Sequence, residues 1–213
     1  MSHVQANLSS GQFIPSPYEA SLPTRGVSSA GIVLANNATN KVAILATSVA
    51  PAIGTSDGWM MAVFRADGYV NNGSAINALC ARGSLASGTA SGPAIILSNT
   101  NKIAAHIGGS SLTAPGAVST NAVNDGKWHC AVAFRTGTTV RLVLDGILQS
   151  GTDTTALACD SSYATRLFID GAASPGTTRY WNGACAFVAY GTGRLMISEA
   201  QILSLAPALV FAP

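Results

Sequence analysis

Nine carboxylates, three imidazoles and four thiols carry most of the reactive chemistry open to this chain, and their spacing limits what they can do. Glu19 and Glu199 lie at opposite ends of the sequence, and most of the Asp residues sit in turn contexts, including Asp67, Asp125, Asp145 and Asp170 beside Gly. Hydrolysis of a glycosidic bond needs two carboxylates flanking it, whereas an Asp beside Gly is explained by turn geometry. His129 follows Trp128, and its expected role is structural or solvent-facing. His3 and His106 are remote in sequence, so no Ser-His-Asp or Cys-His arrangement can be assembled from spacing. Cys80, Cys130, Cys159 and Cys185 form no close pair, against the usual pattern of a zinc site. Cys130 and Cys185 lie inside apolar runs and read as small buried hydrophobes, so four free thiols are expected. Asp57 and Asp67 flank one apolar run, and Asp153 and Asp160 share a polar stretch. Neither pair has the spacing of a calcium loop. The expectation is no catalytic residue, no metal and no cofactor.

Two stretches have a different chemistry. Tyr69-Val70-Asn71-Asn72 and Arg179-Tyr180-Trp181-Asn182 put aromatic rings beside amide donors and acceptors. Sugars are held by that combination. Subunit contacts also enrich Tyr, Trp and Arg, and an aromatic tucked under a loop explains the same residues without any ligand. All three readings stand at this point.

Charged residues make up 9% of the chain against 48% hydrophobic, with a formal net charge of +2. The basic residues are scattered singly, which excludes phosphate-backbone binding to nucleic acid. The apolar windows are interrupted well before a membrane span is reached, so no membrane insertion is expected. The opening MSHVQANLSSGQF has neither the basic nor the apolar region of a secretory leader, which points to synthesis in the cytoplasm. A polar surface built from Ser, Thr, Asn and Gly suits a turn-rich β protein, and also one that packs against other subunits.

Residues 1–26 read as an extended arm, because Pro15, Pro17 and Pro23 prevent regular helix. Either the domain or a neighbouring subunit must hold it. Phe13, Ile14, Tyr18 and Leu22 are its candidate assembly contacts. From Gly31 onward, short apolar runs alternate with Asn-Asn, Asp-Gly, Ser-Gly and Pro-Gly signals about every ten residues, which argues for an all-β sandwich. Between 128 and 135 the two-residue period sets Trp128, Cys130, Val132 and Phe134 on one face. His129, Ala131, Ala133 and Arg135 lie on the other. The Trp128 series is expected to face the core. Thr136–Thr138 and Asp145-Gly146 close two consecutive hairpins. Ser198 and Gln201 fit a helix capping box, and Pro207 is expected to end that helix.

Asp125-Gly126-Lys127-Trp128-His129, Ala131-Val132, Val140-Arg141-Leu142 and Asp145-Gly146 together resemble the laminin G-like branch of the concanavalin A-like lectin/glucanase superfamily. Leu167-Phe168-Ile169-Asp170-Gly171 resembles its third element, and Ile197 to Ile202 its closing helix. The resemblance implies a concanavalin A-like jelly-roll sandwich over residues 27–206, with a tail at 207–213. The chain departs from the family at Ala184–Tyr190, which lacks the usual acidic residue. It also lacks the alternating acidic strand of the glucanases. The closing ILSLAPALVFAP is similar to the ends of such domains in tailed-bacteriophage structural proteins. That likeness implies a non-enzymatic virion component, a capsid decoration or fibre protein, assembled in the host cytoplasm as a homo-oligomer with other virion proteins. A module binding a cell-surface glycan is the alternative, and a glycoside hydrolase the third.

Overall fold

The computed structural model describes residues 3–7, 13–15, 24–28, 31–37, 43–45, 53–71, 75–82, 85, 92–108, 117–153, 159, 165–167 and 179–210. Their strands are β1 (His3–Asn7), β2 (Phe13–Pro15), β3 (Thr24–Ser28), β4 (Gly31–Asn37), β5 (Ala43–Leu45), β6 (Gly58–Ala66), β7 (Ile76–Arg82), β8 (Pro93–Ser98), β9 (Ile103–Ile107), β10 (His129–Thr136), β11 (Thr139–Leu144), β12 (Ile147–Asp153), β13 (Thr165–Leu167) and β14 (Asn182–Thr192), followed by helix α1 (Ile197–Val210). They form two antiparallel sheets. One runs β12-β11-β10-β6-β14-β4-β3, with β1 also on β14, and the other runs β2-β5-β13-β7-β8-β9. The expected all-β, concanavalin A-like sandwich with one short C-terminal helix is the fold observed.

Why both sheets hold together follows from the strand patterns. β6, β8 and β9 are buried at nearly every position instead of at alternate ones. The inter-sheet core takes Met60, Ala62, Phe64, Leu79, Ile95, Leu97, Ala131, Ala133, Leu142, Trp181 and Tyr190. The outer face of the larger sheet is also apolar: Trp59, Met61, Val63, Cys130, Val132, Phe134 and Val143 pack with Leu195 and Ala200 at the helix. A third cluster of Ile76, Ala78, Ala81, Ala94, Ile96 and Ala104 lies on the other side of the smaller sheet with Leu85. Burial on both sides of a sheet gives continuous apolar runs.

The alternation read for 128–135 is present, but its inside and outside are reversed. Cys130, Val132 and Phe134, with Trp128 half-buried beside them, lie under α1. Ala131 and Ala133 face the inter-sheet core. Two buried faces leave no polar side to reveal which is inward. Bulky residues fill the space beneath a helix, and small ones allow the sheets to approach.

Both turns read from sequence are observed. Asp145 and Gly146 have φ of 51° and 81°, the pair of positive values a tight two-residue hairpin requires. The helix departs from expectation at each end. Its start is capped by Glu199, whose Oε2 accepts the Met196 N–H at 2.8 Å, not by Ser198 and Gln201. The Gln201 amide instead donates to Gly146 O at 3.0 Å. At the other end α1 continues beyond Pro207 to Val210. Proline lacks the N–H that would bond Leu203 O, and that carbonyl faces the Cys130 thiol at 4.0 Å.

The stretch expected as a separate arm supplies sheet strands. β1 pairs with β14 from His3↔Gly191 to Asn7↔Phe187, and β2 pairs with β5, placing Phe13 opposite Leu45 and Ile14 opposite Ile44. β3, which straddles the expected boundary at 26/27, pairs with β4. Short strands between prolines leave backbone donors to satisfy, and the chain's own sheet edges accept them. Tyr18 and Leu22 lie outside the described residues, as do residues 211–213 of the expected tail. Before the helix, Leu195 is buried, but residues 194–196 form no strand.

Candidate functional site

One end of the sandwich collects most of the polar residues the sequence singled out. The chain leaving β6 (residues 67–71) is held by side-chain amides from three directions. Asn101 Oδ1 accepts the Tyr69 N–H at 2.6 Å. Asn77, fully buried, accepts the Val70 N–H at 2.9 Å and donates to Val70 O at 3.1 Å, so its carboxamide acts as a strand partner. Asn182 Nδ2 donates to Gly68 O at 3.3 Å, and Asn182 O accepts the Asp67 N–H at 3.0 Å. The segment 179–182 is anchored in turn by Ala78 N–H donating to Arg179 O at 2.7 Å. Arg179 holds φ 75° there, a conformation costly for a non-glycine residue and stable only where the surroundings enforce it.

A third loop, 121–127, closes on the same end. Val123 N–H donates to Asn101 O at 2.9 Å. A Cβ at Gly68 would stand 3.6 Å from Asn101 Oδ1 and 4.0 Å from Asn124 Nδ2, so these amides crowd around a glycine with φ 111°. Asn71, Asn99, Asn121 and Asn124 are exposed here, while Asn77, Asn101 and Asn182 knit the loops. The result is a rim of hydroxyl- and amide-binding groups on a fixed backbone, with Tyr69 half-buried beneath it.

Two of the residues expected as contacts lie too deep for that role. Trp181 is fully buried and meets Phe64 edge-on, with ring centroids 5.6 Å apart. Tyr180 is 8% exposed. Both fill space under the loops, because the bridge between Ala78 and Tyr180 draws this segment against β7. Tyr69, Asn71, Arg179 and Asn182 are brought together as described. Asn72 lies outside the described residues. Sequence reading passed over Asn77, Asn101 and Asn124. Nothing in their local sequence marks them, and only the fold shows Asn77 bonding Val70 and Asn101 and Asn124 meeting at Gly68.

Beside the rim, His129 stands between two carboxylates. Its Nδ1 lies 2.7 Å from Asp145 Oδ2 and its Nε2 3.0 Å from Asp125 Oδ1. Asp145 is itself fixed, accepting the Cys130 N–H at 2.8 Å and donating its own N–H to Cys130 O at 3.0 Å. Asp125 accepts the Lys127 N–H at 3.0 Å. Burial alone would lower the imidazole's pKa, but the hydrogen bonds and charges of Asp145 and then Asp125 outweigh it and raise it. For Asp125 burial acts upward, and the Lys127 N–H and His129 outweigh it, holding the carboxyl below its ordinary range.

The remaining carboxylates described have local duties. Asp57 Oδ1 accepts the Gly137 N–H at 2.7 Å, and Asp67 pairs with Arg65 at 3.0 Å. As expected, none of the four cysteines is in a disulfide; all are buried, and burial pushes Cys185 up to about 12. Among the described residues, no group of three or more His, Cys, Asp or Glu is placed to hold a metal ion. No helix among them is long and apolar enough to cross a membrane.

Comparison with known proteins bears on the fold that carries this rim. A laminin G-like family model, described as "Concanavalin A-like lectin/glucanases superfamily", matches residues 64–191. No curated protein matches the chain. Among solved structures, a mutant of Trypanosoma rangeli sialidase displaying trans-sialidase activity aligns with TM-score 0.63 at 13% identity, covering 100% of this chain and 34% of that one. The botulinum neurotoxin serotype G binding domain aligns at 0.60 and 11%, covering 94% of this chain and 48% of that one. The CBM40 of Ruminococcus gnavus IT-sialidase, bound to alpha2,3 sialyllactose, aligns at 0.51 and 11%, covering 71% and 84% respectively. The chain spans only 28% to 34% of the length of the sialidase chains it matches. At these identities the likeness is one of fold.

Proposed function

The chain belongs to the concanavalin A-like lectin/glucanase superfamily, and on that premise we propose that it is a non-enzymatic recognition sandwich whose polar end binds a cell-surface glycan. The observation that carries this reading is the convergence of three loops on Gly68, with exposed carboxamides at Asn71 and Asn124 held on a hydrogen-bonded backbone. Carboxamides both donate and accept, as sugar hydroxyls do. A scaffold that is already ordered loses little entropy on binding. Neighbours described as a toxin binding domain and a carbohydrate-binding module are consistent with the same use of the fold.

Catalysis is left out of the proposal for a geometric reason. The pair Asp125 and Asp145 is bridged by the His129 ring, which occupies the gap a scissile bond would need. Product release from a panel of β-glucans and bacterial surface glycans tests this. Sustained turnover abolished by Asp125→Asn or Asp145→Asn overturns it.

The setting we propose is the surface of a tailed-phage particle, with the sandwich displayed by a capsid decoration or fibre protein. The resemblance of ILSLAPALVFAP to the ends of such virion domains supports it, as does a surface poor in charge. Copurification with gradient-purified particles is the expected result. Consistent absence from them removes the virion from the proposal and leaves the glycan-binding reading to stand alone.

A further inference from the structure

Residues 124–127, the part of the rim loop beyond the buried Val123, are tied to the sandwich through the His129 ring, and that ring can lose a proton. A neutral imidazole offers one N–H and one lone pair, so it satisfies only one of two carboxylates. His129 has a carboxylate on each nitrogen, at 2.7 Å and 3.0 Å. We propose that His129 is a proton-operated clasp: as the imidazolium it holds residues 124–127 against residues 67–71, and as the neutral ring it releases them. The proposal rests on reading the polar end as the recognition site, and it names how that site is regulated.

The structure decides which bond yields. Asp145 is locked into the β10–β11 pairing by two backbone bonds to Cys130. Its contact with the ring is also the shorter one. Asp125 belongs to the loop, whose other described tethers all precede Asn124: Ser119 Oγ donates to Asn121 O at 2.7 Å, Val123 N–H donates to Asn101 O, and the Val123 side chain is buried in the core. On deprotonation the ring keeps Nδ1–H on Asp145 and turns a lone pair toward Asp125, setting two acceptors face to face. The charged groups around the ring agree. Lys127 lies 3.7 Å from Asp125 Oδ2 and favours that carboxylate's charge. β6 contributes the Phe64 ring at 5.8 Å, and its charged neighbour Arg65 is paired with Asp67. From α1, Glu199 is engaged at Met196. The raised proton affinity of His129 has the sign the clasp requires.

Release displaces Asn124, which reaches the space over Gly68. The rim therefore binds best with His129 protonated and weakens as pH rises.

The experiment uses the full chain, labelled with 15N, and needs no glycan. The His129 ring nitrogens are followed from acidic to alkaline pH, with amide exchange read at Val123, Lys127 and Cys130, whose N–H groups are hydrogen-bonded. The expected midpoint lies above the ordinary value of 6.5. Across it, protection of the Lys127 amide falls roughly tenfold or more, as loss of a charged hydrogen bond implies, while Val123 and Cys130 are unchanged. Asp125→Asn lowers the midpoint and makes loop protection independent of pH. A midpoint at or below 6.5, or a Lys127 amide unchanged across it, overturns the clasp. Absence of glycan binding at every pH defeats the functional reading and leaves the clasp intact, so the two failures are distinguishable.

Discussion

β10 carries a half-buried histidine at its start and a buried arginine near its end, and the two are held by opposite means. His129 and Arg135 both project from its inward side, at opposite ends of the core. His129 is bonded by two carboxylates that are each about two-fifths exposed. Arg135, 1% exposed, donates to backbone carbonyls: Ile107 O at 3.2 Å, Gly54 O at 2.9 Å, and Ser56 O. Guanidinium stays charged at every accessible pH. Its end of the sandwich is therefore a permanent plug joining β9, the 53–57 loop and β10. The histidine end is conditional, and it borders the rim whose loops need adjusting. Within one strand, the choice of cation separates a fixed end from a regulated one.

Breaking the comparison most severely means removing what fixes an end. Gly183→Ala would place a Cβ 2.1 Å from the Arg65 carbonyl oxygen, on backbone with φ 142°. Main chain has no room to yield there, so the β6–β14 pairing must shift at the rim, at a cost of about 3 kcal/mol or more. Denaturant midpoints should show this loss at every pH. Arg135→Met removes the guanidinium's bonds to Ile107 O, Gly54 O and Ser56 O and should cost about 2 to 4 kcal/mol. That loss should be flat with pH, and a slope near neutrality would show that the arginine end is not a fixed plug.

His129→Gln should cost less, about 1 to 2 kcal/mol, because the flanking carboxylates are partly screened by solvent. The loss should also depend on pH. His129 has a raised native value, so its stabilisation is complete below about 6.5 and is lost as pH rises through that native value. Asp125 has a depressed value, so its contribution is present above about 3.9 and is lost as pH falls through its native value. The difference between wild type and His129→Gln should peak between about pH 4 and 6.5. A difference that grows toward alkaline pH would show that the ring is bound neutral. The smallest effect expected is none: a chelator should leave Tm unchanged, since a bound ion would stabilise the native state by mass action. A clear drop in EDTA would reveal a metal holding the polar end.

Much of this fold was legible because the turns announce themselves. Asp145-Gly146 and Gly137 sit where positive φ is observed, and the strands between them follow. What sequence could not give was orientation. A β10 that is buried on both faces has no hydrophilic side to mark outward, so Trp128 was assigned to the wrong layer. β1 and β2 were missed because strands of five and three residues are too short to carry a periodic signal. The rim was half legible. Tyr69 and Asn182 were singled out for their chemistry, and the fold joins them. Asn77 and Asn101 act through partners 7 and 32 residues away, which local spacing cannot reveal. Trp181 was misjudged because an indole suits a sugar platform and a core equally well until its burial is known.

The central claim is that the end around Gly68 recognises a glycan. The most direct measurement is binding of the full chain to a bacterial surface-glycan array at mildly acidic pH, beside the double variant Asn71→Ala, Asn124→Ala. Both residues are exposed, and a melting curve of the variant beside the parent separates lost binding from lost stability. The account predicts a glycan retained by the parent and bound at least about tenfold more weakly by the variant, the equivalent of one or two lost hydrogen bonds. A parent that retains no glycan, or a variant that binds as the parent does, would contradict it.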